Sequence, residues 1–455
     1  MAVDRLMVSV SGVRGTIGKT LTPQIACEFG CAFGTMLGAG TTVVIGRDTR
    51  PSGAMVRASV AAGLMATGVS VVDLGVVTTP GVALMTRKLN ADGGVIITAS
   101  HNPPAYNGIK FLQPSGPGLR ATEAARLKGI WEAKQFSFVP ATECGTETAD
   151  DTTHEKHIAA TCDIVDVDAI KARKFKVVVD SINGAGCTVT PMLLERLGCE
   201  VVHLNGEPTG DFAHVPEPIE ENLGGLCKAV AESGAVVGFA QDPDADRLVL
   251  VDENGMFIGE EYTLALTTAY VLNREKVDIA TNLATSRMVD DLAGRAGTKV
   301  FRSPTGEANV VEAMEANGCP FGGEGNGGVI DPRVVPVRDS LVGMAMILQY
   351  LADTGKTLSQ LATEIPSYTL VKTKMPCPAG LADSVAAETR KMFEGRDDVT
   401  FNDADGLRID LPSAWLCVRA SNTEPIMRIF AEAPDADEAQ ELVDRVKAVA
   451  DSLIR

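Results

Sequence analysis

Positive charge is in short supply in this chain: 41 Lys and Arg stand against 59 Asp and Glu, a formal net charge of −18 at neutral pH. Nucleic-acid backbones and anionic lipid surfaces draw basic proteins, so the balance argues against both as partners. Long apolar runs are missing too. The most apolar stretch, Ala58 to Val77, is broken by Gly63, Thr67, Gly68, Ser70 and Asp73 and reads as a helix followed by a strand. Met1 to Leu6 carries Asp4 and Arg5 with no long apolar segment behind it, which is not the pattern of a secretory signal. The ten cysteines include no Cys-x-x-Cys spacing. Cys27 and Cys31 fall one helical turn apart with no histidine near them in sequence, and Cys199 and Cys417 sit among apolar residues. We read the set as buried thiols in a reducing, cytoplasmic compartment. His154 and His157 flank a charged pair in an acidic, threonine-rich stretch, which predicts a solvated helix start, not a zinc site.

What is present is an alternation of strand and helix signals. Thr42 to Asp48 precedes an alanine-rich helix, Lys176 to Asp180 leads into the turn Ser181 to Gly186, and a similar unit starts near Asp278. Such alternation predicts α/β domains with parallel or mixed sheets and a faint internal repetition. At 455 residues the chain suits three to four domains. Boundaries are expected in the polar stretch from Ala141 to His154, at the turn Asp252-Glu253-Asn254-Gly255 and at Pro366-Ser367, dividing the chain into residues 1–153, 154–255, 256–366 and 367–455. From Tyr368 onward, strand-like runs end in a helix from Ala436 to Ile454, with Leu442, Val443, Val446 and Val449 at helical spacing.

Four segments carry chemistry. The apolar run Gly94-Val95-Ile96-Ile97 is followed by Thr98-Ala99-Ser100-His101-Asn102-Pro103, where prolines bar regular structure and a hydroxyl is displayed on a turn. In Asp242-Pro243-Asp244-Ala245-Asp246-Arg247, three carboxylates alternate; read as an extended segment they point the same way and repel one another unless a hard cation sits among them. Mg²⁺, which takes carboxylate and phosphate oxygens, suits such a site. An EF-hand does not, because Arg247 stands where its loop needs glycine and a strand-like run follows. A third segment, Arg419 to Pro425 and on to Arg428, concentrates guanidiniums, hydroxyls and an amide, donors suited to a phosphate dianion. The fourth, Gly322-Gly323-Glu324-Gly325-Asn326-Gly327-Gly328, meets the spacing of a dinucleotide fingerprint, but Val329-Ile330-Asp331-Pro332 is no helix start; a close backbone approach to a hydroxyl-rich ligand fits better.

Together and in this order, from Ser11-Gly12-Val13-Arg14-Gly15 to Arg428, these segments resemble the α-D-phosphohexomutase superfamily, enzymes that move a phosphoryl group between the 1- and 6-positions of a hexose. The resemblance implies three similar α/β domains with mixed sheets and a C-terminal α+β domain around a central cleft, each contributing one of the four segments. It implies that Ser100 is held as a phosphoserine and that Asp242, Asp244 and Asp246 bind Mg²⁺ together with an oxygen on Ser100. It places Arg14 and Arg247 as cations near the phosphate, and His101 and Lys110 as candidate acid and base, the lysine with a pKa lowered by burial and cationic neighbours. Glu324 and Asn326 are expected to hold sugar hydroxyls, and Arg419, Ser421, Asn422, Thr423 and Arg428 the distal phosphate. A hexose 1,6-bisphosphate is implied as intermediate and activator, hexose phosphates as partners, and a monomer or homodimer as the assembly, with the last domain closing on substrate.

The chain departs from the commoner bacterial pattern Gly-Glu-x-Ser-Gly-His, since Asn326 replaces the serine and Gly328 the histidine, and Thr305 to Val310 lacks a lysine found in many phosphomannomutases. These forms look closer to archaeal-type phosphoglucosamine and phosphomannose mutases. Glucosamine phosphate is therefore the expected sugar, with mannose and glucose phosphates as alternatives. A Mg²⁺-dependent sugar-phosphate phosphatase would share Ser100 and the aspartates, and a non-catalytic sensor would keep the Arg419 loop without transfer.

Overall fold

Four sheets follow one another along the chain in a computed structural model that describes residues 5–378, 380–420 and 426–454. In the first, Thr42–Arg47 runs parallel to Ser70–Val76 and Gly93–Ile97, while Tyr106–Leu112 and Gly12–Thr16 add antiparallel strands. Met7–Ser9 and Glu147–Ala149 form its edges, for seven strands in all. The acidic stretch expected only as a connection thus supplies an edge strand. In the second sheet Lys176–Asp180 is parallel to Glu200–Leu204 and Val237–Gln241, and Leu248–Asp252 returns antiparallel. In the third Ile279–Asn282 is parallel to Val300–Ser303 and Phe321–Glu324, and Gly328–Asp331 and Val335–Arg338 continue antiparallel. The fourth is wholly antiparallel, five strands with Leu381–Lys391 and Ala436–Ile454 as its helices. The mixed α/β sheets and the α+β C-terminal unit are as expected, and the last helix has the expected bounds.

The three mixed sheets share one device. In each, a buried parallel strand (Gly93–Ile97, Val237–Gln241 or Phe321–Glu324) exits into a loop and returns as an antiparallel neighbour. Ser100, the aspartate triplet and Asn326 lie on those three connections, beyond the carboxyl ends of parallel strands, where α/β sheets present their ligand loops. It stands beside the strand–turn–helix repetition expected from the sequence, which the structure shows in Thr42–Arg47 with Gly53–Ala66, Lys176–Asp180 with Gly186–Arg196, and Ile279–Asn282 with Met288–Ala296.

Apolar packing joins the first three units: one buried cluster runs from Val44 through Val177 and Phe239 to Leu348 and Ile365, whereas the fourth unit keeps its own core from Cys377 to Ala450. Within the first unit, helices Pro23–Leu37 and Gly53–Ala66 approach so closely that a Cβ at Gly30 would lie 2.3 Å from Val60 O, and one at Gly63 2.2 Å from Cys27 O. Only glycine permits that crossing. Among the described residues, no helix is long and apolar enough to cross a membrane.

Two expectations need correction. Cys144 is exposed, and Cys27, Cys162 and Cys227 are half-buried; the other six cysteines are buried and all ten are free thiols. His157 is not solvated: it is 1% exposed, and its Nε2 lies 2.6 Å from Asp339 Oδ2, whose other oxygen caps helix Ser340–Thr354 by accepting from Leu341 N at 2.9 Å. The acidic stretch signalled solvent, but the partner is 182 residues away. Replacing His157 by Leu leaves a buried carboxylate without its hydrogen bond and is expected to destabilise the protein by about 2 kcal/mol, measured as a lower urea midpoint. A midpoint unchanged from wild type would show that the pair carries no weight.

Candidate active site

Ser100 sits at the end of a strand that is buried throughout, in a left-handed backbone conformation with φ 50°. A non-glycine residue in that region costs of order 1 kcal/mol or more and persists only where its surroundings impose it. They do so here through one guanidinium. Arg50 Nη2 donates to Ser100 O and Asn102 O, both at 2.6 Å, and Nη1 to Pro103 O at 2.8 Å and Tyr106 O at 3.0 Å. Its Nε donates to Asp48 Oδ2 at 3.1 Å, and that oxygen also accepts from Thr98 Oγ1 at 2.6 Å. Both members of the ion pair are fully buried, so each depends on the other. Asp48 and Arg50 were passed over in sequence; the available signal was a charged pair standing directly after the buried strand Thr42–Arg47.

The aspartate triplet occupies a turn, not the extended segment expected: Ala245, at φ 56°, folds the chain between two strands so that the carboxylates converge. All three are fully buried, with one oxygen of each within 4.8 Å of the others. Ser100 Oγ donates to Asp242 Oδ2 at 2.8 Å, and Arg247 N to Asp242 Oδ1 at 3.2 Å. Asp244 Oδ2 accepts from Lys110 Nζ at 2.8 Å and Thr79 Oγ1 at 2.7 Å. Asp246 Oδ2 accepts from Arg338 Nη2 at 2.6 Å and Lys110 Nζ at 3.4 Å. Asp244 Oδ1 and Asp246 Oδ1 are buried and have no hydrogen-bond partner. Two orphaned, anchored carboxylate oxygens beside a third carboxylate and a hydroxyl suit a small hard cation such as Mg²⁺. Thr79 and Arg338 are further residues that sequence reasoning missed.

Electrostatics sort the neighbouring groups. Burial, then the charges of Asp244 and Asp246, hold Asp242 well above the usual carboxylate range. For Asp244, burial works the other way from the hydrogen-bonded Lys110 and Thr79, and the partners win, lowering it. Burial alone would lower Lys110, but Asp244 and Asp246 raise it, so the lysine is an ammonium clamp here instead of the lowered-pKa base expected. His101 Nδ1 lies 3.3 Å from Ser100 Oγ, and burial together with Arg247 and Arg14 pushes its pKa down to about 2. Its imidazole is neutral there. Arg14 Nη1 donates to Asn102 Oδ1 at 3.1 Å, from the strand next to the serine loop.

Arg14, His101, Arg247, Asn326, Lys372 and Arg428 all line one cleft of about 760 Å³, and they come from all four units. Asn326 Oδ1 is buried there without a partner. Glu324 is not offered to the cleft: Oε1 accepts from Asn282 Nδ2 at 2.6 Å and Gly306 N at 3.1 Å, and Oε2 from Arg338 Nη1 at 2.6 Å. Arg419 and Arg428 face each other across paired strands, an arrangement of like charges that favours an anion between them, although Arg419 Nη1 is 2.8 Å from Asp405 Oδ2 in this structure. Ser421, Asn422 and Thr423 lie outside the described residues. Glu261 also lines the cleft, its pKa pushed up to about 8 by burial; its Oε2 accepts from Ser286 N at 3.0 Å, and nothing in the sequence singled it out.

Family models described as phosphoglucomutase/phosphomannomutase α/β/α domains I, II and III and C-terminal domain match residues 5–138, 154–255, 259–368 and 370–449. A phosphoglucomutase/phosphomannomutase of Thermococcus kodakarensis is 42% identical over 439 residues, covering 95% of this chain and 96% of the relative. A probable phosphoglucosamine mutase of Methanopyrus kandleri is 40% identical, covering 95% of both. The crystal structure of a phosphoglucomutase/phosphomannomutase family protein from Burkholderia thailandensis superposes with a TM-score of 0.86 at 28% identity, covering 98% of each chain.

The raised Asp242 gives a pH prediction. Without a cation it retains its proton where ordinary carboxylates have lost theirs, and Mg²⁺ must expel that proton. Mg²⁺ affinity is therefore expected to rise with pH, with proton release seen by calorimetry in buffers of different ionisation enthalpy. Binding with no proton released would contradict this charge assignment.

Proposed function

The chain belongs to the phosphoglucomutase/phosphomannomutase family, whose models match all four of its units, and from that premise we propose that it interconverts hexose 6-phosphate and hexose 1-phosphate through a phosphoserine at Ser100. The observation that carries this reading is the contact of Ser100 Oγ with Asp242 at 2.8 Å, beside two carboxylate oxygens that have no partner. Glucosamine phosphate is the proposed sugar, in keeping with the name of the Methanopyrus kandleri relative; glucose and mannose phosphates are the alternatives raised by the Thermococcus kodakarensis relative.

In the proposed cycle, the sugar's free hydroxyl attacks the phosphorus on Ser100, the Oγ–P bond breaks, and hexose 1,6-bisphosphate forms. The bisphosphate turns in the cleft, and its other phosphoryl group returns to Ser100, leaving the isomeric monophosphate. Phosphoryl transfer passes through a loose transition state, so the protein's work is to position groups and neutralise charge. Arg50 fixes the Ser100 turn, Arg14 and Arg247 face the transferring group, and the proton of the attacking hydroxyl passes to Ser100 Oγ as the Oγ–P bond breaks, with His101 Nδ1 lying 3.3 Å from that oxygen. Asp242, Asp244 and Asp246, with the oxygen of Ser100, are the residues that hold Mg²⁺; bound there, the ion supplies further neutralisation of the phosphoryl charge. Asn326 is assigned to sugar hydroxyls and Arg428 with Arg419 to the distal phosphate. Glu324 shares the hydroxyl role once its internal partners yield. The four units are divided at residues 153/154, 255/256 and 366/367. The last, with its separate core, closes on substrate to exclude water.

Ser100→Ala is expected to abolish phosphoprotein formation and to lower isomerisation by at least about 10⁴-fold, since transfer loses its acceptor. Turnover persisting in that variant would remove the relay. Release of inorganic phosphate in place of the isomer would point to the phosphatase reading. Arg50→Lys keeps a charge beside Asp48 but cannot serve four carbonyls; kcat is expected to fall about 10²-fold with KM little changed, because the nucleophile is misplaced. Comparing kcat/KM for the 6-phosphates of glucosamine, glucose and mannose tests the choice of sugar.

A further inference from the structure

Arg338 spans two functional loops that sequence reasoning treated as separate. Its Nη2 donates to Asp246 Oδ2 and its Nη1 to Glu324 Oε2, both at 2.6 Å, so a single planar group is bonded at one edge to the carboxylate triad and at the other to the sugar loop. Its Nε is 3.3 Å from Glu307 Oε2, which also accepts from Arg338 N at 2.9 Å, fixing the base of the side chain. The side chain is only 11% exposed. Its path runs over Gly328: a Cβ at that position would lie 2.2 Å from Arg338 Cδ and 2.8 Å from Cγ. The bare backbone at 328 is therefore what admits the arginine. Glycine at 328 and arginine at 338 act as one device, on neighbouring antiparallel strands of the third sheet.

We propose that Arg338 couples occupation of the aspartate triad to the sugar loop, a positioning residue for both. Resting on the functional reading above, the argument is one of charge. While the triad lacks a cation, Asp246 and Glu324 Oε2 share the guanidinium, and Glu324 Oε1 is held separately by Asn282 and Gly306 N. Positive charge at the orphaned Oδ1 atoms of Asp244 and Asp246 reduces the hold of Asp246 on the guanidinium. The guanidinium then turns toward the cleft past Asn326, Glu324 Oε2 loses its internal partner, and the sugar phosphate gains a nearby cation. By linkage, whatever factor Mg²⁺ lends to sugar-phosphate affinity, sugar phosphate must lend to Mg²⁺ affinity.

The test uses dephosphorylated full-length protein, which has no phosphoryl group to transfer. Calorimetry gives the dissociation constant of Mg²⁺ with and without glucosamine 6-phosphate, and of glucosamine 6-phosphate with and without Mg²⁺. Wild type is expected to show the same coupling factor in both directions, in the range of about 5- to 150-fold typical of linked sites. In Arg338→Met the factor is expected to fall to within about twofold of one. Gly328→Ala keeps the charge and crowds side-chain atoms only, Arg338 Cδ and Cγ and, at 3.2 Å, Asn326 Oδ1; it is expected to lower the factor likewise while the protein stays folded. Arg338→Lys, which reaches one carboxylate and not two, should bind Mg²⁺ and sugar phosphate without linking them. A factor unchanged from wild type in both Arg338→Met and Gly328→Ala overturns the inference and leaves the mutase reading standing. Wild type that binds neither ligand would bring down that reading as well.

Discussion

Three buried carboxylates that cannot coexist unaided set the terms for this molecule. At an effective dielectric of about 20, charges ~5 Å apart repel by roughly 3 kcal/mol per pair, and Asp242, Asp244 and Asp246 are all fully buried. The second unit, which carries them, supplies Arg247, whose backbone N donates to Asp242, and the rest of the relief comes from outside it. Lys110 and Thr79 come from the first unit and Arg338 from the third, so the triad is tolerable only where the units meet. The apolar cluster shared by those three units holds the meeting in place. Packing and electrostatics thus select the same arrangement, and the cleft is its open side.

Much of the site was legible because its loops share one grammar. A buried strand of Val, Ile, Ala and Gly, broken by a turn rich in polar residues, marks the connection on which α/β folds display ligands, and Ser100, the aspartates and Asn326 all obey it. The strand-like runs of the last unit and its terminal helix were equally plain from alternation and helical spacing, whereas their antiparallel pairing came only with the fold. That Ser100 lies beside the triad was implied by the family resemblance, and the structure brings its Oγ to 2.8 Å from Asp242 Oδ2.

What escaped were residues whose meaning lies in distant partners. Arg50 reads as one more arginine until the fold brings four carbonyls from 50 to 56 residues away onto its guanidinium. Arg338 and Asp246 are 92 residues apart, and His157 and Asp339 182. Lys110 was noticed but its charge misjudged, because a lysine's pKa follows the balance between desolvation and neighbouring carboxylates, and only the fold shows that the carboxylates prevail. Local pattern reveals where chemistry is displayed. It does not reveal which charges stand behind it.

The left-handed, 1%-exposed setting of Ser100 bears on how the protein is first primed. A kinase must reach the hydroxyl it modifies, and although Pro103, Pro104 and Ala105 of this turn are exposed, Ser100 itself is buried and its carbonyl is held by Arg50. On the proposed mechanism, the founding phosphate must arrive on a small sugar that diffuses into the cleft.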